Sequence, residues 1–351
     1  MNRRELLLAA AAVAVAPRQA LAAAGAAPLV LVTADLESSV LAVDPASGHV
    51  RRRISTLAFP RSIETVGRTA VVAHSEIGAV SLIEAAELSV SHVLRGFGEP
   101  RYTAAHPDGR HAFVTDADRG EVVAIDVLRG RVAGREQVGP DARHATVDRA
   151  GRTLWIALGS KASEVAIVDV SAPARPRLVR RFRPPFLAHD VGIAPDGRHL
   201  WVSSGDRQEL AVYDRRDGRL LARPSGDWPP QHVTFAGGTV YVASGWSGTL
   251  RLHRVDGRPI RQVPVEVGSY NVQQALGLVV TPALGRGTLT VFDERGRLIR
   301  RRRVARSSHD ACLVSSTIRG AADMPNSFAL PHRRSMRPCF HQLPTMRTRR
   351  S

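Results

Sequence analysis

Lysine is all but missing from this chain. Of 49 basic residues, Lys161 is the only lysine and the rest are arginine. The formal net charge of +17 taken alone would point to nucleic acid. An arginine excess in an Ala- and Gly-rich chain is what a GC-rich coding sequence gives, so nucleic-acid binding ranks last among the functional readings. Only two cysteines occur, Cys312 and Cys339, which excludes a disulfide-built scaffold. Cys312, in an apolar run, is expected as a small buried thiol, and no disulfide is expected. Aromatic residues make up 5% of the chain, so the core must be built from Val, Leu, Ile and Ala. The one long apolar run, Leu6 to Ala16, is too short to span a bilayer. There is no GxSxG elbow, no HExxH, no phosphate loop and no CxxCH for covalent haem. A non-catalytic scaffold is therefore the first expectation.

What is present is a repeat. Its cores are LVLVTADLESSVLAVD (29–44), TAVVAHSEIGAVSLIE (69–84), HAFVTDADRGEVVAID (111–126), TLWIALGSKASEVAIVD (153–169), HLWVSSGDRQELAVYD (199–214), TVYVASGWSGTLRLHR (239–254) and LGLVVTPALGRGTLTVF (276–292). Each is an apolar, β-branched run, a small turn and a second alternating run. Apolar spacing of two marks strands rather than helices. A further short strand segment begins at Arg61, Arg101, Arg143, His189, Gln231 and Tyr270, at intervals of roughly 40 residues. A seventh such segment, SSHDACLV (307–314), has no core after it, and the first core has no segment before it. A circle reconciles the two. The expected fold is all-β, a seven-bladed β-propeller over 29–314, with residues 307–314 completing the first blade. Such closure removes the open sheet edge between the last unit and the first.

The turns agree with four strands per blade. HPDGRH (106–111), DRAGRT (148–153) and APDGRH (194–199) place Pro, Asp and Gly at the positions a tight turn requires. APDGRHLWVSSGDRQELAVYDRRDGRL and HPDGRHAFVTDADRGEVVAIDVLRGRV resemble the YVTN-type repeat of YncE-like propellers. The WD dipeptide and GH pair of WD40 blades are absent. The resemblance covers about residues 29–314 and implies the seven-bladed fold. It implies no single activity, since such propellers include binding scaffolds, enzymes and DNA-binding proteins.

The ends of the chain read differently. MNRRELLLAAAAVAVA has a twin arginine, Arg3-Arg4, ahead of an Ala/Leu core and an Ala20-Leu21-Ala22 cleavage motif. Residues 1–22 resemble a twin-arginine export signal, residues 23–28 a short linker. The mature protein is expected outside the cytoplasm, without a transmembrane segment, as a monomer. Residues 315–351 lack strand periodicity and carry seven Arg against one Asp. They read as a disordered basic tail or an out-of-frame extension.

Aligning blades on their turn glycines puts Arg61, Arg101, Arg143, His189, Gln231, Tyr270 and His309 at one level around the channel mouth. The next level holds Ser62, Tyr102, His144, Asp190, His232, Asn271 and Asp310. None is aliphatic, which packing alone would not require. Three consecutive Arg suit a small anionic ligand, or an acidic loop of a protein partner, because guanidinium binds carboxylate and phosphate bidentately. The opposite arc offers His189, Asp190, His309 and Asp310 as candidate ligands of a divalent metal. No other cofactor is expected. That arc carries the alternative of a metal- or cofactor-dependent enzyme of lactonase or oxidoreductase class. Trp228 and Trp246, on two loops of one blade, are expected to form an aromatic platform beside the mouth.

Overall fold

Alternating apolar runs ended by Gly turns leave each chain segment one choice, a short antiparallel strand beside its neighbour. The computed structural model describes residues 27–316. It begins with β1 (Ala27–Ala34), β2 (Ser39–Val43) and β3 (Val50–Ser55). Blade 2 is β4 (Ser62–Val66), β5 (Thr69–His74), β6 (Ala79–Glu84) and β7 (Ser89–Arg95). Blade 3 is β8 (Pro100–Ala105), β9 (His111–Asp116), β10 (Glu121–Asp126) and β11 (Arg131–Gln137). Blade 4 is β12 (Ala142–Val147), β13 (Thr153–Leu158), β14 (Val165–Asp169) and β15 (Arg177–Phe182). Blade 5 is β16 (Ala188–Ile193), β17 (His199–Ser204), β18 (Leu210–Asp214) and β19 (Leu220–Ala222). Blade 6 is β20 (Val233–Ala236), β21 (Thr239–Ser244), β22 (Thr249–Arg254) and β23 (Pro259–Pro264). Blade 7 is β24 (Gln273–Ala275), β25 (Leu278–Ala283), β26 (Thr288–Asp293) and β27 (Leu298–Arg303). The last strand, β28 (Ala311–Ser316), joins blade 1 in the order β28-β1-β2-β3.

The ring is therefore closed as expected, with a shifted boundary. Leu31 pairs with Cys312, Leu29 with Val314 and Ala27 with Ser316. The closing strand covers 311–316, not 307–314, because residues 307–310 lead into it as the channel-mouth segment of blade 1. Ser315 and Ser316 thus belong to the sheet rather than to the tail, and Ala27 and Pro28 to β1 rather than to a linker. The signal expected at 1–22 and the tail beyond Ser316 lie outside the described residues. Among the described residues no helix is long and apolar enough to cross a membrane.

The core lies between neighbouring blades. Second and third strands are buried almost throughout, and their apolar faces interleave across blade boundaries, as with Ile156, Val165 and Val202. Trp201 and Tyr241 are the largest fully buried side chains. Outer strands face solvent; every residue of β27 is exposed. Its arginines are not idle there. Arg300 and Arg302 donate to the carbonyls of Ala46 and Ser47, pinning blade 7 to blade 1. The turn reading holds at atomic level in HPDGRH. Asp108 accepts from the Arg110 and His111 N–H groups at 2.9 Å each, and Gly109 takes φ +66°.

Candidate functional site

Three innermost strands slip register at the same point. The ladder breaks between Pro100 and Thr103, between Ala142 and Ala145, and between Ala188 and Val191. The dipeptides at the breaks are Arg101-Tyr102, Arg143-His144 and His189-Asp190. A bulge re-aims side chains locally. Here it falls where the innermost strands enter the channel.

The mouth residues are also tied to neighbouring blades. Ser203 Oγ donates to the Gln231 carbonyl at 2.6 Å and accepts from the Asp190 N–H at 3.0 Å. Asp190 accepts from its neighbour Val191 N–H and, across the blade boundary, from Val233 N–H at 2.9 Å. Asp310 does the same with Ala311 and, in blade 2, Ile63. Asn271 Nδ2 donates to the His309 carbonyl at 2.7 Å, and Gln231 Oε1 accepts from Gly245 N–H. Asp190, Asp310, Asn271 and Gln231 are thus clamps between backbone segments. Burial pushes the carboxyls up, Asp190 to about 7 and Asp310 to about 8.

The arginine arc is different in kind. Arg101 is 7% exposed and has one acidic partner, Glu99, at 2.7 Å. Among the described residues no acidic group or hydrogen-bond acceptor meets the side chains of Arg61 or Arg143. The Nε atoms of all three arginines are buried and unpartnered. Burial, then the charges of Arg61 and Arg143, bring the Arg101 guanidinium down to about 10. Three guanidiniums held this close, short of acceptors, define a cationic basin.

Beside it lies a cluster of imidazoles. The His144 ring centroid stands 4.6 Å from that of His189, 4.4 Å from His232 and 3.9 Å from the Tyr102 ring. One ring nitrogen from each histidine lies within 4.8 Å of the other two. Of the four metal candidates expected from sequence, only His189 belongs to this group. Asp190 and Asp310 are committed to backbone N–H groups, and His309 is not in the cluster. His309 is nonetheless buried with both ring nitrogens unpartnered. Burial, then the three arginines, lower it to about 3.

A cavity of about 180 Å³ runs into the channel below, lined by Glu64, Tyr102, His144, Asp190, His232 and Asp310 among others. Glu64 was not singled out in the sequence. It sits two residues beyond Ser62, on the inward side of β4, and burial raises it to about 7. A charged residue at that inward position was the available signal. Trp228 and Trp246 are both exposed, on adjoining loops of blade 6. Trp246 pairs with Tyr270, centroids 6.0 Å apart, while Trp228 contributes its carbonyl, to Ser247 Oγ. Cys312 is a buried free thiol.

These features define a closed seven-bladed propeller with a polar, cationic channel mouth. Residues 3–223 match the family described as YNCE-like beta-propeller, and the chain belongs to that family. Solved structures share the architecture. A functionally unknown protein from Desulfotomaculum acetoxidans DSM 771 is similar with a TM-score of 0.70 at 14% identity, over 82% of this chain and 99% of that one. Hydrazine synthase of Kuenenia stuttgartiensis gives 0.62 at 16%, over 72% and 89%. The dihydro-heme d1 dehydrogenase NirN, in complex with DHE, gives 0.58 at 16%, over 79% and 64%. At these identities the likeness is one of fold alone. No curated protein matches the chain.

Proposed function

We propose that this protein is an exported propeller that binds a small anion, a carboxylate or phosphate compound, at the mouth of its channel. One observation carries the reading: three convergent guanidiniums have buried, unpartnered Nε donors and a single acidic partner among them. Charges of one sign gathered with so few acceptors favour an anion that supplies them. The outer Arg run is engaged with neighbouring carbonyls, which weakens the nucleic-acid alternative.

Calorimetric titration with a panel of phosphate, mono- and dicarboxylates tests it. At least one should bind saturably to the wild type and be lost in an Arg61→Gln/Arg143→Gln double variant. Equal binding by that variant would overturn the reading. Export follows from the sequence of the N-terminus. Replacing Arg3 and Arg4 with Lys should leave the protein in the cytoplasm, and normal export of that variant would point to the general secretory route.

A further inference from the structure

Buried imidazoles normally find a hydrogen-bond partner. His144 is 1% exposed, and neither of its ring nitrogens has one. Its two histidine neighbours each have an acceptor nearby. His189 Nδ1 lies 3.0 Å from the Ser160 carbonyl, which can only accept. That contact makes Nδ1 the protonated nitrogen and leaves the Nε2 lone pair free. His232 Nδ1 stands 3.5 Å from Asp190 Oδ2, and Asp190 is itself held by two backbone N–H groups. A carbonyl hydrogen-bonded to one imidazole, with a carboxylate near another, resembles the outer arrangement that orients histidines toward a metal.

The distances agree. Nitrogens sharing a tetrahedral metal at about 2.0–2.1 Å lie roughly 3.4 Å apart. The three here lie within 4.8 Å of one another, so modest side-chain rotation brings them to one ion. Packing alone would explain neighbouring rings, but not a buried ring with no partner beside one whose tautomer a carbonyl sets.

We propose that His144, His189 and His232, one each from blades 4, 5 and 6, form a three-imidazole site for a borderline divalent transition metal ion. Any further coordination position is open to the channel cavity that His144 and His232 line. Three imidazoles select zinc, copper, nickel or cobalt over calcium and magnesium, which prefer oxygen. This rests on the histidines alone and stands whether or not the arginines bind an anion.

The full-length protein, freed of metal by chelator, is titrated with Zn(II), Co(II), Ni(II) and Cu(II). At least one should bind at one equivalent, and calcium and magnesium should not compete. Electron paramagnetic resonance of the Cu(II) form counts nitrogen donors. Three imidazole nitrogens are expected in the wild type and two in each of His144→Gln, His189→Gln and His232→Gln. Failure of all four metals to bind stoichiometrically would overturn the proposal. So would a wild-type count below three, which needs no variant to fold. An unchanged count in all three variants would place the ion elsewhere, on residues such as His332, Cys339 or His341, and would also overturn it.

Discussion

Thr115 Oγ1 donates a 2.7 Å hydrogen bond to the carbonyl oxygen of Arg143, reaching from blade 3 to the mouth segment of blade 4. The same hydroxyl accepts from the Tyr102 N–H of its own blade at 3.2 Å. Ser203 repeats the bond to Gln231, and Thr33 reaches Arg61 at 3.3 Å. Ala73, Ala157 and Ala243 hold the matching position in blades 2, 4 and 6. A hydroxyl in blades 1, 3 and 5 thus sets where the next mouth segment sits, and Pro282 holds the position in blade 7. The mouth residues are placed by hydroxyls of the preceding blade.

Thr115→Val should therefore do two things. It leaves a buried carbonyl and N–H unpaired, costing about 1–3 kcal/mol of stability, and it frees the Arg143 segment, weakening anion binding. Thr115→Ser should restore both. Urea unfolding and calorimetry on the pair measure this. A valine variant as stable and as tight-binding as the wild type would show that the bond positions nothing.

Arg143→Gln should separate binding from folding. Removing one of three mutually repelling guanidiniums relieves repulsion, so the melting temperature should hold or rise. Anion affinity should fall by about 1.5–3 kcal/mol, the range for a hydrogen bond to a charged group. A fall in melting temperature with binding unchanged would make Arg143 a structural pin instead.

The fold was legible because strand alternation and Gly turns are local signals, repeated in every blade. The closing strand was legible as an unpartnered segment, but its limits were not. Residues 307–310 have the same polar chemistry whether they pair or line the mouth. Arg61, Arg101 and Arg143 were legible by alignment, since the repeat fixes their level. The four metal candidates named from sequence are not brought together in the fold, because His-Asp adjacency in sequence says nothing about commitments in space. Asp190 and Asp310 are taken by backbone N–H groups of the next blade in the ring. His144 and His232 were read only as second-level mouth residues. Register slips in β12 and β16, invisible in composition or period, accompany their meeting with His189.

His309 should make the protein acid-sensitive. Its pKa is lowered from 6.5 to about 3 on folding, so the unfolded chain takes up a proton that the native state refuses. This contribution is fully present above pH 6.5 and is lost as pH falls toward 3. His309→Gln removes one such proton. Its stability should decline less steeply between pH 6 and 4, by about 1.4 kcal/mol per pH unit. Asp310, raised to about 8, acts in the opposite sense in both proteins, losing stability as pH rises through 8, and so cancels in the comparison. Parallel unfolding curves across pH 4 to 6 would show that His309 titrates normally.

Closure of the ring makes the most demanding prediction. β28 supplies the innermost strand of blade 1, pairing Ala311–Ser316 with Ala27–Val32. It buries Cys312, Leu313 and Val314 to 4% exposure or less. Asp310, just ahead of it, holds the Ile63 N–H of blade 2. Ending the chain after Arg306 removes this strand, bares the inner edge of β1 and uncovers apolar surface worth on the order of 5 kcal/mol. That is comparable to the whole stability of many domains, and an unpaired apolar edge favours aggregation. Ending the chain after Ser316 keeps every pair of the closing ladder. The shorter chain should be insoluble or melt well below the wild type, and the longer one should melt with it. Leu313→Asp in the full-length protein should reproduce the loss, since it sets a charge between blades 1 and 7, where Leu313 packs with Val30 and Val280. Wild-type melting by the chain ending at Arg306 would mean that the ring does not need its closing strand. Equal damage from both truncations would move the closure to residues beyond Ser316.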